Sequence, residues 1–255
     1  MVEQKASQGL RLGSLIDGKY KVIAKVGKGG MSTVWLAMNI KTNKNWAIKE
    51  VRQTEKNVIY AIAGDMFRGS IIDSEYKGIS TIEIMNALVP DIVTVGNHEL
   101  DYGIPHLLFI EKCAQFPIIN VNLFIKTNHA RLFPPCYIME LDGMKILFIG
   151  IITDAVLAQA KQDHLIGSFI GIEEAAQEVG RICNTYNRID IDFTVLLTHI
   201  GFEFDKELAA MLRPEWGVDL IIGGHSHTLM EQPALRRKRY FDRASRRRHR
   251  PNWAI

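Results

Sequence analysis

Cysteine is scarce in this chain. Cys113, Cys136 and Cys183 are all it has in 255 residues, widely spaced and with no Cys-x-x-Cys pair, which argues against a disulfide framework and a thiolate zinc site and fits a reducing compartment. No apolar run approaches the length of a membrane span, and the first twenty residues scatter charges where a signal peptide needs an apolar core. The expectation is a soluble, cytoplasmic chain with no membrane partner. Histidine is missing from the whole amino-terminal third: the first of eight is His98. What remains is ordinary, 47% hydrophobic and 23% charged, enough to bury a full core but naming no function.

Charge is ordinary in sum and uneven in place. The formal net charge is +3, yet residues 236–250 carry nine Lys or Arg against Asp242 alone. Such a segment can contact phosphate backbones through counterion release, but Tyr240 and Phe241 are too few for a stacking platform. A solvated, disordered tail over 234–255 is expected, with at most non-specific nucleic-acid contact.

Four apolar runs, Val58–Ala63, Ile92–Val95, Phe193–Leu197 and Val218–Ile222, lack polar alternation, as suits strands buried on both faces. Each is followed at once by polar residues: Gly64-Asp65, Gly96-Asn97-His98-Glu99, Thr198-His199 and Gly223-Gly224-His225-Ser226-His227. In an open α/β sheet functional groups gather beyond the carboxyl ends of the strands, so these Asp, Asn and His residues can converge although they lie far apart in sequence. Helical stripes are read over Gly78–Ala87, Pro105–Gln115, Glu173–Asn184 and Asp205–Leu212, and Asp142-Gly143 between Tyr137–Leu141 and Lys145–Ile151 marks a hairpin.

Residues 17–52 differ: two-residue alternation over Tyr20–Val26, Thr33–Met38 and Asn45–Val51 predicts a small β segment. Its turn Gly27-Lys28-Gly29-Gly30-Met31-Ser32-Thr33-Val34, followed by Trp46-Ala47-Ile48-Lys49, resembles the start of a bacterial-type serine/threonine protein kinase. The resemblance implies nucleotide phosphates held by the loop around Gly27, Gly29 and Val34 and by Lys49. It stops at Arg52: no His-Arg-Asp, Asp-Phe-Gly or Ala-Pro-Glu follows, so the groups that perform phosphoryl transfer are absent.

Residues 57–233 resemble the 5′-nucleotidase branch of the calcineurin-like metallophosphoesterases, on Gly64-Asp65-Met66-Phe67-Arg68-Gly69-Ser70, Gly96-Asn97-His98-Glu99-Leu100-Asp101-Tyr102-Gly103, Thr198-His199 and Gly223-Gly224-His225-Ser226-His227-Thr228. The resemblance implies a four-layer αββα sandwich and a two-metal phosphohydrolase acting on phosphate monoesters, with a nucleotide as substrate. It also implies that Asp65 bridges two cations, that Asn97, His199 and His225 complete one position and His227 belongs to the other, and that His98, oriented by Asp101, acts on the phosphate. Arg68 is a further candidate for phosphate contact. Mixed N and O ligands suit Mn, Zn or Fe without choosing among them.

The family's opening strand, ending in Asp-x-His, has no counterpart: before Asp65 the only Asp is Asp17, and no His precedes His98. The expected organisation is a kinase-like β fragment over 1–56, a metallophosphoesterase domain lacking its first strand over 57–233 and the basic tail. A fused, truncated or frame-shifted gene is the expected source of the kinase-like start and of the basic tail, and an impaired second metal position is expected with it. The rival expectation is a non-catalytic phosphate- or nucleotide-binding chimera.

Overall fold

The computed structural model describes residues 10–16, 18–28, 32–51, 57–67, 75–125, 128–153, 168–169, 171–230 and 233–234. Gly29, Arg68 and the basic tail from Leu235 onward lie outside the described residues. The chain divides into two units, Met1–Val58 and Ile59–Ile255.

The first unit is an antiparallel sheet of β1 (Leu15–Ile16), β2 (Tyr20–Lys28), β3 (Ser32–Asn39) and β4 (Asn45–Val51), paired in chain order. Alternation along β3 buries Thr33, Trp35 and Ala37 on one face, with Val22 of β2 buried too, as a half-buried sheet requires. Glu50 ties the edge: its carboxylate accepts from Trp35 Nε1 at 2.8 Å and from the Leu10 amide at 2.5 Å. The register sets Val34 opposite Lys49 and Gly27 opposite Val34. The side chains of Val34 and Lys49 lie outside the described set.

Among the described residues the second unit is a mixed α/β fold with two main sheets and a separate two-stranded pair. One runs β5 (Ala61–Ala63), β6 (Ile92–Thr94), β7 (Ile118–Ile119), all parallel. The other holds β9 (Cys136–Leu141), β10 (Met144–Ile152), β12 (Phe193–His199) and β13 (Leu220–Gly223) in the order β13-β12-β10-β9, parallel except for β9. Short β8 (Leu123–Phe124) and β11 (Ser168–Phe169) pair apart from both. The helices are α1 (Ile79–Leu88), α2 (Ile104–Cys113), α3 (Ile172–Thr185) and α4 (Phe202–Met211). Asp142 and Gly143, at φ 51° and 77°, close the β9–β10 hairpin as a left-handed pair, the backbone that an Asp-Gly turn favours.

Three apolar clusters explain why these strands are apolar without interruption. Along β10, Ile146 and Phe148 face one cluster with Ile92, Ile119, Val195 and Leu197, between the two sheets. The alternate residues Leu147, Ile149 and Ile151 face another, with Ala175, Val179 and Ile182 of α3 and Leu208 of α4. Val93 of β6 joins Ile82 and Met85 of α1 and Ile104, Leu107 and Ile110 of α2 on the far side of the first sheet. Strands covered on both faces have no side that a polar residue could occupy cheaply. Observed strand ends differ from the sequence reading by a few residues; β5 begins at Ala61, and the exposed Val58 and Tyr60 lie before it. No helix among the described residues is long and apolar enough to cross a membrane.

Candidate metal centre

The parallel strands β5 and β6 of one sheet and β12 and β13 of the other deliver their carboxyl ends to a common place, and each hands on a polar side chain there. Ala63 of β5 leads to Asp65, Thr94 of β6 to Asn97, β12 ends on His199 and β13 leads to His225. Ligand atoms of Asp65, His199 and His225 lie within 4.8 Å of one another. Asn97 completes the set, its Oδ1 2.9 Å from His225 Nδ1 and 3.1 Å from His199 Nε2, while His199 Nε2 is 3.1 Å from Asp65 Oδ2.

The backbone is forced to reach this arrangement. Asp65 and His225 take φ of 60° and 82°, a region that non-glycine residues rarely occupy and that functional sites hold under strain. Two glycines allow the approach. A Cβ on Gly64 would stand 2.6 Å from His199 Nδ1, and one on Gly96 would stand 2.4 Å from the Asp65 nitrogen.

The donor set fits a divalent cation. His199 Nδ1 lies 2.6 Å from the carbonyl oxygen of Ala63; a carbonyl only accepts, so Nδ1 carries the proton and donates it, and in the neutral ring Nε2 is left as a lone pair. That lone pair then faces the Asp65 and Asn97 oxygens, acceptors with no proton to share. Metal–ligand bonds of about 2.0–2.2 Å set neighbouring donors roughly 3.0–3.5 Å apart, close to the 2.9–3.1 Å of the Asn97–His225, Asn97–His199 and Asp65–His199 pairs. The carbonyl behind His199 also orients the ring as an outer partner does.

Burial works against the charged form of His199, but its bonds to Asp65 and the Ala63 carbonyl outweigh this and raise its pKa. Burial alone would raise Asp65, yet the His199 bond, the His98 amide and the nearby imidazoles hold it below the usual range. His225 is lowered, first by burial and then by the neighbouring His199.

His98 opens a single turn of 3-10 helix, His98–Leu100, that Asp101 caps at its carboxyl end, and His98 Nδ1 is 2.7 Å from Asp101 Oδ2. The three-residue separation brings them together as read from the sequence, on a tighter helix than an α-helix. His227 stands outside the group formed by Asp65, His199 and His225: it is exposed, at φ 52°, and its nearness disfavours protonation of His225.

Two acidic residues that sequence reasoning passed over are built into the surroundings. Glu99, 1% exposed, accepts from the amides of Asp65 at 2.9 Å, Met66 at 2.5 Å, Phe67 at 3.3 Å and Gly96 at 2.6 Å. Burial pushes its carboxyl up, against the pull of these bonds; each partner is an N–H donor, which the acceptor-only carboxylate satisfies. Asp205, in the first turn of α4, accepts from Thr198 Oγ1 at 2.6 Å, and burial pushes it up to about 6. Glu99 carried one signal, its place directly after the Asn and His; Asp205 carried none beyond a helix start.

Comparison with known proteins agrees with this geometry. The family described as calcineurin-like phosphoesterase matches residues 40–229. A 5′-nucleotidase-related protein of Glossina morsitans morsitans is 32% identical over 188 residues, covering 72% of this chain and 33% of its own length. The 5′-nucleotidase of Homo sapiens is 29% identical over 188 residues, covering 72% and 32%. The chain thus spans about a third of the length of the curated relatives it matches. Among solved structures, a 5′-nucleotidase precursor from Thermus thermophilus superposes with a TM-score of 0.58 at 28% identity, covering 68% of this chain and 33% of that one. With the family matched over residues 40–229, the chain belongs to the calcineurin-like phosphoesterases.

Proposed function

We propose that this chain is a metal-dependent phosphohydrolase of the 5′-nucleotidase type that hydrolyses phosphate monoesters, with nucleotides as the substrate class. The observation that carries the reading is the convergence of Asp65 Oδ2, Asn97 Oδ1, His199 Nε2 and His225 Nδ1, with the Ala63 carbonyl fixing the His199 tautomer. A divalent cation held there supplies Lewis acidity, lowers the pKa of water and offsets charge on phosphoryl oxygens.

The protein's own groups divide the remaining work. Asp65 uses one oxygen toward the other ligands and the second toward the His98 amide, at 3.0 Å, so the ligand and the catalytic loop share one side chain. His98, held by Asp101 through Nδ1, is placed to bind a phosphoryl oxygen or to give a proton to the departing alkoxide, and either act requires a proton on Nε2 as well, that is, the imidazolium. Asp65, Asn97, His199 and His225 form one complete position; His227 serves a second that has no Asp-x-His to complete it. We assign manganese, zinc or iron to the first position on donor type. The relatives carry 5′-nucleotidase in their names, which supports a nucleotide over other esters.

For the amino-terminal unit, the β2-β3-β4 meander with Val34 opposite Lys49 supports a second reading, a kinase-like fragment that holds nucleotide phosphate without transferring it. One experiment separates the two. With added Mn²⁺, p-nitrophenyl phosphate should be turned over by the full chain and about one equivalent of metal retained after dialysis, and Asp65→Ala should abolish both. A chain that binds ATP but neither retains metal nor hydrolyses the ester would overturn the phosphohydrolase reading in favour of the second.

A further inference from the structure

Asp65 and Asn97 come from different strands, and nothing in the pairing of β5 with β6 reaches the loops beyond their ends. The strands pair through Ala63 and Thr94, after which each chain turns away with its own irregular backbone. Two loops carrying opposite halves of one ligand set need a tie of their own, and Glu99 supplies it. One carboxylate oxygen, Oε2, accepts from Asp65 in the first loop and Gly96 in the second; the other, Oε1, accepts from Met66 and Phe67 of the first loop.

The tie is reciprocal. Asp65 Oδ1 accepts from the His98 amide at 3.0 Å, so each loop sends a carboxylate to the other's backbone. The packing around it has no slack, since a Cβ on Gly96 would meet Asp65 Oδ1 at 2.5 Å and Glu99 Oε2 at 2.9 Å. Bonds between a carboxylate and amides are charge-assisted and stronger than neutral ones, and the burial of Glu99 keeps water from competing.

We infer that Glu99 is a positioning residue for the metal centre, whose carboxylate clasps the loops of Asp65 and Asn97 so that their ligand atoms meet at one cation. It touches neither cation nor substrate. It acts by holding Asp65 at its left-handed φ and by fixing the start of the turn that presents Asn97 and His98. The inference rests on the metal-centre reading, and outer partners of this kind commonly change metal affinity by about 10–100-fold.

The test is Mn²⁺ titration of the full-length Glu99→Gln variant beside the natural chain, with amide hydrogen exchange on both. Glutamine keeps the shape but turns an NH₂ toward N–H groups at one of the two oxygen positions. The expected result is Mn²⁺ affinity reduced about tenfold or more, with faster exchange at Asp65, Met66 and Gly96 and unchanged exchange along β10 and β12, which a general loss of packing would not spare. Unchanged affinity in a folded Glu99→Gln variant overturns the inference. If that variant does not fold, Glu99→Asp is read in the same way, since its carboxylate is one methylene too short to reach both loops. In the natural chain, Asp65 and Met66 amides exchanging as fast as open loop would also overturn it. A natural chain that binds no Mn²⁺ refutes the metal-centre reading, while equal binding by natural chain and variant refutes only the role of Glu99.

Discussion

Replacing Gly96 by alanine tests whether the loops must approach as closely as they do. The added methyl would stand 2.4 Å from the Asp65 nitrogen, 2.5 Å from Asp65 Oδ1 and 2.9 Å from Glu99 Oε2. Ordinary contact begins near 3.5 Å, so the loops must part by roughly 1 Å in a region where the nearest atom is backbone and cannot swing aside. Overpacking of this kind costs about 1–3 kcal/mol, and in a chain of this size 1 kcal/mol shifts the melting temperature by about 2–4 °C. Stability loss alone would prove little, so Gly143→Ala serves as the control. Gly143 lies at φ 77° with nothing near its missing Cβ, and an L residue there costs about 1–2 kcal/mol of backbone strain in a turn remote from the centre. Gly96→Ala should therefore lower Mn²⁺ affinity by about tenfold or more, as loss of outer support does, while Gly143→Ala lowers the melting temperature and leaves affinity alone. Isothermal titration and thermal melts on both variants decide it. If Gly96→Ala binds Mn²⁺ like the natural chain, the close approach of the loops is not what assembles the ligands.

Two further expectations follow from single side chains. His98→Ala should reduce kcat for p-nitrophenyl phosphate by about 10²–10⁴-fold, the range for a positioned acid or base, with metal content unchanged; equal loss of metal would make His98 a structural residue. Asp205 has its pKa raised to about 6, burial being the largest cause, so between about pH 4 and 6 the folded chain keeps a proton that the unfolded chain has released. Stability should fall across that window as pH rises and stay reduced above it. Asp205→Asn removes this contribution, and a difference in urea midpoints between it and the natural chain that stays constant from about pH 4 to 7 would refute the assignment.

The strands were legible because burial on both faces leaves no freedom. Ile146 to Ile151 of β10 alternate between the intersheet cluster and the α3–α4 cluster, so a run without polar breaks could only be a central strand. Edges were less legible. Val58 to Tyr60 look as apolar as Ala61 to Ala63, but Val58 and Tyr60 are exposed and precede the strand, and no one-dimensional pattern separates an apolar residue that pairs from one that merely leads in. Helix ends moved by a few residues for a related reason: Gly103 and Gly201, at φ 81° and 88°, start α2 and α4 just before the apolar stripes begin.

The candidate ligands were legible because their chemistry is visible in the residue type, and Asp65, Asn97, His199 and His225 each follow a buried strand by only a few residues or end one. Glu99 was in plain view beside them, but its one signal, a place directly after Asn97 and His98, is weak, since an acid after a histidine reads equally as a solvated charge. Its burial is what distinguishes it, and burial is a property of two loops meeting, not of either alone. A carboxylate buried with N–H donors as its partners is tolerated only where both loops present amides to it at once. The same surroundings that make Glu99 expensive to bury thus make it specific for one arrangement of the loops, and that arrangement is the one in which Asp65 Oδ2 and Asn97 Oδ1 both lie 3.1 Å from His199 Nε2.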